Sequence, residues 1–144
     1  MAQQIREIMS TDIVSVSPEQ SIQEAASLMK QNDVGSLPVV ENGQVIGIIT
    51  DRDIALRSTS EGKETTIPVR ECMTENPTVA SPSMDVHEAA RIMAEKQIRR
   101  LPVVENGQLI GMVAIGDLAT EEIYQNEAGE ALSQISENTD HTNA

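Results

Sequence analysis

The chain has no tryptophan, no phenylalanine and a single tyrosine, Tyr124. Its core must therefore come from Val, Ile, Leu, Met and Ala. No aromatic platform is available for stacking a nucleobase, so a bound base would lie between aliphatic side chains. Cysteine is almost absent: Cys72 stands alone, which excludes an intrachain disulfide. Positive charge is scarce, with 10 Lys and Arg against 23 Asp and Glu and a formal net charge of -13. That balance argues against a general binder of nucleic acid or of an anionic membrane, whose affinity rests on neutralising phosphates. Long apolar runs are missing, and the N-terminus lacks a signal-peptide pattern, so the expected location is the cytoplasm.

What the chain does have is a duplication. Leu37-Pro38-Val39-Val40-Glu41-Asn42-Gly43-Gln44 returns unchanged as Leu101-Pro102-Val103-Val104-Glu105-Asn106-Gly107-Gln108. Ile5-Arg6-Glu7-Ile8-Met9 returns as Val69-Arg70-Glu71-Cys72-Met73, Gly47 as Gly111 and Asp53 as Asp117, always 64 positions later. Between residues 5 and 55, 21 of 51 positions match their counterparts. So regular a repeat implies two copies of one supersecondary unit. At 144 residues the chain has the size of one compact domain, so a core shared by both copies is expected. Cys72 occupies the place of Ile8, which reads as a buried apolar substitute and not as a nucleophile.

Each copy predicts the order β-α-β-β-α. Short extended segments end at Pro18 and Pro82. Ser21-Ile22-Gln23-Glu24 and Asp85-Val86-His87-Glu88 have the form of capping boxes at helix starts. Ile22, Ala25, Ala26 and Met29 then fall on one helical face, as do Val86, Ala89, Ala90 and Met93. The paired alanines suggest close approach to another element. Asn42-Gly43 and Asn106-Gly107 each separate two β-rich runs, the strongest short signal for a hairpin. A second helix is expected near 51–58 and near 116–124. The repeats are expected at 5–58 and 69–124, with a polar linker at 59–68. Residues 125–144 form an acidic tail, expected to be partly disordered with a short helix near 128–135.

Three constellations bear on chemistry. In Gly47-Ile48-Ile49-Thr50-Asp51-Arg52-Asp53 a strand gives way to a helix. Thr50 sits at the N-cap, Asp53 three residues on and Arg52 nearby. Amide groups and a hydroxyl suit an anion, and a carboxylate one turn in suits the vicinal hydroxyls of a ribose. The same spacing equally describes a capping box with no ligand. In Gly111-Met112-Val113-Ala114-Ile115-Gly116-Asp117 the aspartate is kept but alanine replaces the threonine. Arg99-Arg100 replaces Gly35-Ser36 just before the second Leu-Pro, where two guanidiniums suit either anionic ligands or surface carboxylates. His87 and His141 have no metal-ligand company, and no catalytic triad, Cys/His pair or carboxylate pair is readable. Neither a metal site nor catalysis is expected.

Order, spacing and duplication together resemble the CBS (cystathionine-β-synthase) domain. The tandem is similar to a CBS pair, or Bateman module, of the small stand-alone bacterial kind. The residues that carry the resemblance are Met9, Val16-Ser17-Pro18, Ala25-Ala26 with Met29, Leu37-Pro38-Val39-Val40, and Gly47 through Thr50 with Asp53. Their counterparts in the second copy run from Met73 to Asp117. The resemblance implies an α/β (α+β) fold of two repeats packed about a pseudo-twofold axis. It implies clefts between them that take adenine nucleotides such as AMP, ADP or ATP. It assigns phosphate to Thr50, ribose to Asp53 and in part to Asp117, and phosphate again to Arg99 and Arg100. It assigns adenine to the backbone from Val16 to Pro18 and from Val79 to Ser81. The implied protein is a non-enzymatic regulator and homodimer with an unidentified regulated partner and no required cofactor. The alternative is an interaction module with no physiological nucleotide. Because Ala114 lacks a hydroxyl, the Thr50/Asp53 cleft is expected to dominate.

Overall fold

The computed structural model describes residues 3–119. The second-helix expectation beyond Ala119, and every expectation for the tail, lie outside the described residues. The repeat is written into the element order. Helix α1 (Ile22–Asn32), strand β1 (Ser36–Glu41), strand β2 (Gln44–Thr50) and helix α2 (Asp51–Arg57) come first. After the short strand β3 (Thr74–Glu75), the series returns as α3 (Val86–Lys96), β4 (Arg100–Glu105), β5 (Gln108–Ala114) and α4 (Ile115–Ala119). One-turn 3-10 helices at Ile5–Glu7 and Val69–Glu71 precede the copies.

Local chemistry sets these boundaries. The Ser21 hydroxyl accepts from the Glu24 amide at 3.1 Å, and Asp85 accepts from the His87 amide at 2.7 Å, so both long helices start on a side-chain cap. They end on left-handed residues, Asp33 (φ 53°) and Gln97 (φ 57°). The hairpin turns have positive φ at both central residues, Asn42 (55°) with Gly43 (80°) and Asn106 (54°) with Gly107 (81°). That is the twist-matched turn an Asn-Gly pair favours. β1 and β2 pair antiparallel from Glu41↔Gln44 to Ser36↔Thr50, with a bulge between Val39 and Val40.

Two local expectations change. The opening strand of each copy shrinks to a single parallel bridge, Val16 to Val39 and Ala80 to Val103. The prolines at 18 and 82 stop the extended run before a longer ladder can form. The alanine pairs also differ in fate: Ala25, Ala89 and Ala90 are buried, whereas Ala26 is exposed.

The chain divides into two compact units, and they do not coincide with the sequence repeats. One unit holds residues 13–77 with 106–109. The other holds residues 3–12, 78–105 and 110–119 of the described chain. Each has its own core, in place of the single shared core expected. In the first unit Val16, Ile22, Ala25, Met29, Leu37, Val39 and Ile49 pack with Val69, Cys72 and Met73. In the second, Val86, Ala89, Ala90, Met93, Leu101, Val103, Val113 and Leu118 pack with Ile5.

Each body is thus closed by the leading segment that belongs, by sequence, to the other repeat. In the first unit the Val69 amide donates to Gln20 O at 2.7 Å and the Arg70 amide to Pro18 O at 3.0 Å. In the second the Ile5 amide donates to Met84 O at 2.9 Å and the Arg6 amide to Pro82 O at 3.1 Å, the same two bonds 64 positions apart. The first clasp carries an extra tie. The Arg70 guanidinium donates to Glu19 Oε1 at 2.7 and 3.0 Å and lies 3.4 Å from Glu41, and the bond to Glu19 is the main cause of its raised pKa. Among the described residues the Arg6 side chain pairs with Gln4 alone, at 2.9 Å, and serine stands at 83 where Glu19 stands in the first copy.

Candidate functional site

In the first unit β2 delivers the chain to Thr50, and α2 starts at once. Thr50 Oγ1 accepts from the Asp53 amide at 2.9 Å, and Asp53 Oδ2 accepts from the Thr50 amide at 3.0 Å. This is a complete capping box, so each side chain anticipated as a ligand contact already accepts from the other residue's backbone amide. The box leaves the Thr50 hydroxyl proton and the Asp53 Oδ1 lone pairs available. Oδ1 lies 3.9 Å from Arg57 Nε, a loose ion pair, with the Asp53 side chain 14 % exposed. Arg52 is exposed, and among the described residues its side chain makes no hydrogen bond or ion pair. Asp51 turns its carboxylate toward Gly35: a Cβ added at Gly35 would meet Asp51 Oδ2 at 3.2 Å.

In the second unit half of the box survives. Asp117 Oδ2 accepts from the Ala114 amide at 2.9 Å, and alanine offers nothing in return. Arg99 O accepts from the Ile115 amide at 2.8 Å, as Gly35 O accepts from the Asp51 amide at 2.9 Å. The Arg99 backbone therefore stands beside the start of α4 in its own unit, with Arg100 next along the chain as the first residue of β4. Ile115 is buried where Asp51 is exposed, so the carboxylate that crowds Gly35 has no counterpart at position 115. Arg99 is exposed and Arg100 half-buried; among the described residues neither makes a side-chain hydrogen bond or ion pair.

The remaining sequence candidates sort by exposure. Val16 is buried and its backbone serves the sheet: its amide donates to Pro38 O and its carbonyl accepts from Val40. Pro18 is buried, and its carbonyl takes the Arg70 amide. Val79, by contrast, is 39 % exposed, and Ser81 is exposed with its hydroxyl 3.4 Å from that of Ser83. Val79 is thus the open apolar side chain of this group.

The motif glycines prove to be packing residues. A Cβ at Gly47 would meet Thr74 O at 2.8 Å and Met73 Sδ at 2.9 Å. At Gly111 it would meet Met9 Sδ at 2.6 Å and Ser10 O at 3.0 Å. Each lies where a clasp crosses the hairpin, as β3 pairs with β2 at Gly47↔Glu75 and Ser10 bridges Met112.

Arg57 is the residue that sequence reasoning missed. Its Nη1 donates to Met73 O at 3.1 Å and to Cys72 O at 3.4 Å. Its i+4 spacing from Asp53 was a readable signal for the pair; the reach to carbonyls 15 and 16 residues on was not. Cys72 beneath it is buried, and burial first of all pushes its thiol pKa up. Glu71 and Asp53 act in the same sense, and Lys63 and Arg57 against it. A thiol so placed is a poor nucleophile. Among the described residues no group of three or more His, Cys, Asp or Glu could hold a metal, and no helix is long and apolar enough to cross a membrane.

Comparison with known proteins follows the same duplication. The family model for the CBS domain matches residues 5–59 and again 69–123. The CBS domain-containing protein YhcV of Bacillus subtilis is 47 % identical over 137 residues, 95 % of this chain and 98 % of that protein. Among solved structures, CBSX2 in complex with AMP superimposes with a TM-score of 0.75 at 27 % identity, covering 85 % of this chain and 98 % of that one. The CBS domain pair of MJ0100, in complex with 5'-methylthioadenosine and S-adenosyl-L-methionine, gives 0.71 at 27 % identity, covering 83 % and 95 %.

Proposed function

The chain belongs to the CBS domain family, with two copies of the domain in tandem, and from that premise we propose a non-catalytic regulatory module that binds adenine nucleotides. One observation carries the proposal. Both units hold an aspartate at the same turn, fixed through one oxygen by a backbone amide at 3.0 and 2.9 Å. In the first unit the second oxygen, Asp53 Oδ1, lies 3.9 Å from Arg57 Nε and keeps lone pairs for a pair of vicinal hydroxyls. The structural relatives solved with AMP, methylthioadenosine and S-adenosylmethionine support an adenosine-containing ligand.

In this reading Asp53 and Asp117 take ribose, and the phosphate partners differ between units. Thr50 serves the first with a neutral hydroxyl, assisted by Arg52; Arg99 and Arg100 serve the second with charge. Charge-assisted bonds are roughly twice as strong as neutral ones. The second site therefore gains with each added phosphate, reversing the order expected from the lost hydroxyl alone. The backbone from Val16 to Pro18 borders the adenine in the first unit, and Val79 and Ser81 border it in the second. AMP, ADP or ATP is the candidate ligand, and no cofactor is required. Exposed Ala26 and Leu56 (53 % exposed) on the first unit's helices support self-association as a homodimer that an unidentified protein reads.

A thermal-shift panel of AMP, ADP, ATP, S-adenosylmethionine, NAD and cyclic dinucleotides tests this. A ligand at a hundredfold excess over its dissociation constant adds roughly 2.7 kcal/mol of stability. The same incubations analysed for turnover are expected to return the ligand unchanged. The alternative, an interaction module without a nucleotide, draws on the capping box, which gives Thr50 and Asp53 a structural use of their own. Silence across the panel would put that reading first.

A further inference from the structure

Arg57 stands at the meeting point of two things that the chain keeps apart in sequence: the half-site carboxylate and the clasp that closes the first unit. On one side its Nε faces Asp53 Oδ1 at 3.9 Å. On the other its Nη1 holds the carbonyls of Met73 at 3.1 Å and Cys72 at 3.4 Å. The same clasp is tied to the half-site at a second point. Thr74 and Glu75 pair with Ile48 and Gly47 on β2, the strand that ends at Thr50. A guanidinium has five donors in a rigid fork, so it can serve both sides at once, but its charge is shared between them.

We infer that Arg57 is a positioning residue that couples occupancy of the Asp53 half-site to the 69–77 clasp, so that ligand binding in the first unit is read out as tightening of that segment. The inference rests on the proposed adenine-nucleotide site. A ligand hydroxyl that donates to Asp53 Oδ1 competes with Arg57 for the same lone pairs. The guanidinium then gives its donors more fully to Cys72 O and Met73 O, and the clasp holds more firmly. The chemistry is confined to one half of the molecule. Sixty-four positions on from Arg57 the chain carries Glu121, outside the described residues, and an acid there cannot supply the same donor. Two copies of one unit would thus be unequal in signalling: one occupied site is transmitted through Arg57 to the segment that follows the linker, and the other has no such arginine.

Hydrogen exchange on the full chain, with AMP as the probe and calorimetry on the same samples, tests this. In the unmodified protein, AMP is expected to slow exchange in peptides spanning 69–77 by roughly three- to tenfold, the range that strengthening one or two hydrogen bonds gives. The matching segment 5–12 is expected to change by less than about twofold on the same basis. In Arg57→Gln the AMP-dependent slowing at 69–77 should disappear while AMP still binds. A purely structural arginine would instead speed exchange there equally with and without AMP. Should Arg57→Gln fail to fold by circular dichroism, Arg57→Lys, which keeps the charge but not the fork, carries the same readout. Binding with no slowing at 69–77, or slowing that survives the substitution, overturns the coupling and leaves the nucleotide site standing. Calorimetry silent to AMP overturns the site and the coupling together.

Discussion

The two half-sites share a backbone and differ in charge. Where the first has Gly35-Ser36, Thr50, Asp51 and Arg57, the second has Arg99-Arg100, Ala114, Ile115 and Glu121. These differences are not independent. Asp51 presses on the space above Gly35, and a side chain there would meet its carboxylate at 3.2 Å. Burying Ile115 in place of Asp51 removes that obstacle, and position 99 can carry a guanidinium. Aspartate at the third helical position is common to both, because it holds the cap amide in each. The comparison separates what the fold requires from what is free to vary. The helix start needs its carboxylate; the group proposed to meet a phosphate is a hydroxyl in one copy and a pair of cations in the other.

The largest effect should come from breaking the exchange of leading segments. Ile5 is fully buried in the core of the second unit. Ile5→Ala should cost about 2–5 kcal/mol in denaturant unfolding, the usual range for emptying such a site. Its local signature is sharper: faster amide exchange in 86–96 and 100–105, with little change in 22–32. Loss of protection in 22–32 instead would contradict the assignment of this segment to the second body.

Next come the crossing points. Gly47→Ala drives a Cβ against a backbone oxygen at 2.8 Å, whereas Gly111→Ala chiefly meets a flexible methionine tip at 2.6 Å. Both should destabilise, by about 1–3 kcal/mol for the first, as overpacking does, and by less for the second. Equal losses in thermal unfolding would show that the backbone contact is not the deciding one.

The caps give a smaller contrast in both directions. Thr50→Ala should cost about 1 kcal/mol by removing the acceptor for the Asp53 amide. Ala114→Thr should stabilise by up to about that much by completing the second box. A neutral or destabilising Ala114→Thr would mean that the second turn cannot close as the first does.

The smallest expected effect is a pH dependence from Cys72. Burial raises its thiol pKa above the ordinary 9.0, so the native state keeps a proton that the unfolded chain gives up. The contribution to stability is whole below pH 9 and is lost as pH rises past that value toward the native pKa. Cys72→Val should flatten this alkaline slope relative to the parent in chemical unfolding at several pH values. An unchanged slope would assign it to other groups.

Much of this was legible in the sequence, and the reasons are local. Asn-Gly fixed both hairpin turns, Ser21 and Asp85 fixed both helix starts, and Thr50 with Asp53 spelled out a capping box. Closure of each body was not legible, because the two leading segments are nearly interchangeable. Ile5 and Val69 are both β-branched and are followed by the same Arg-Glu, so nothing local says which body each one closes. The fates of Ala26 and Ala90 were hidden for the same reason: identical residues at identical spacing end exposed in one copy and buried in the other. Arg57 was half visible, since its spacing from Asp53 pointed to the ion pair and nothing local pointed to the clasp.

The central claim is that the two units meet phosphate with different chemistry. Calorimetric titration of adenosine, AMP, ADP and ATP into the unmodified protein and into an Arg99→Ala/Arg100→Ala variant tests it most directly, at two salt concentrations. The account predicts a loss that is negligible for adenosine and grows with each phosphate, reaching about ten- to a hundredfold where one or two charge-assisted bonds are gone. It also predicts that the loss shrinks at high salt. A loss of the same size for adenosine and ATP, or none for either, would contradict it.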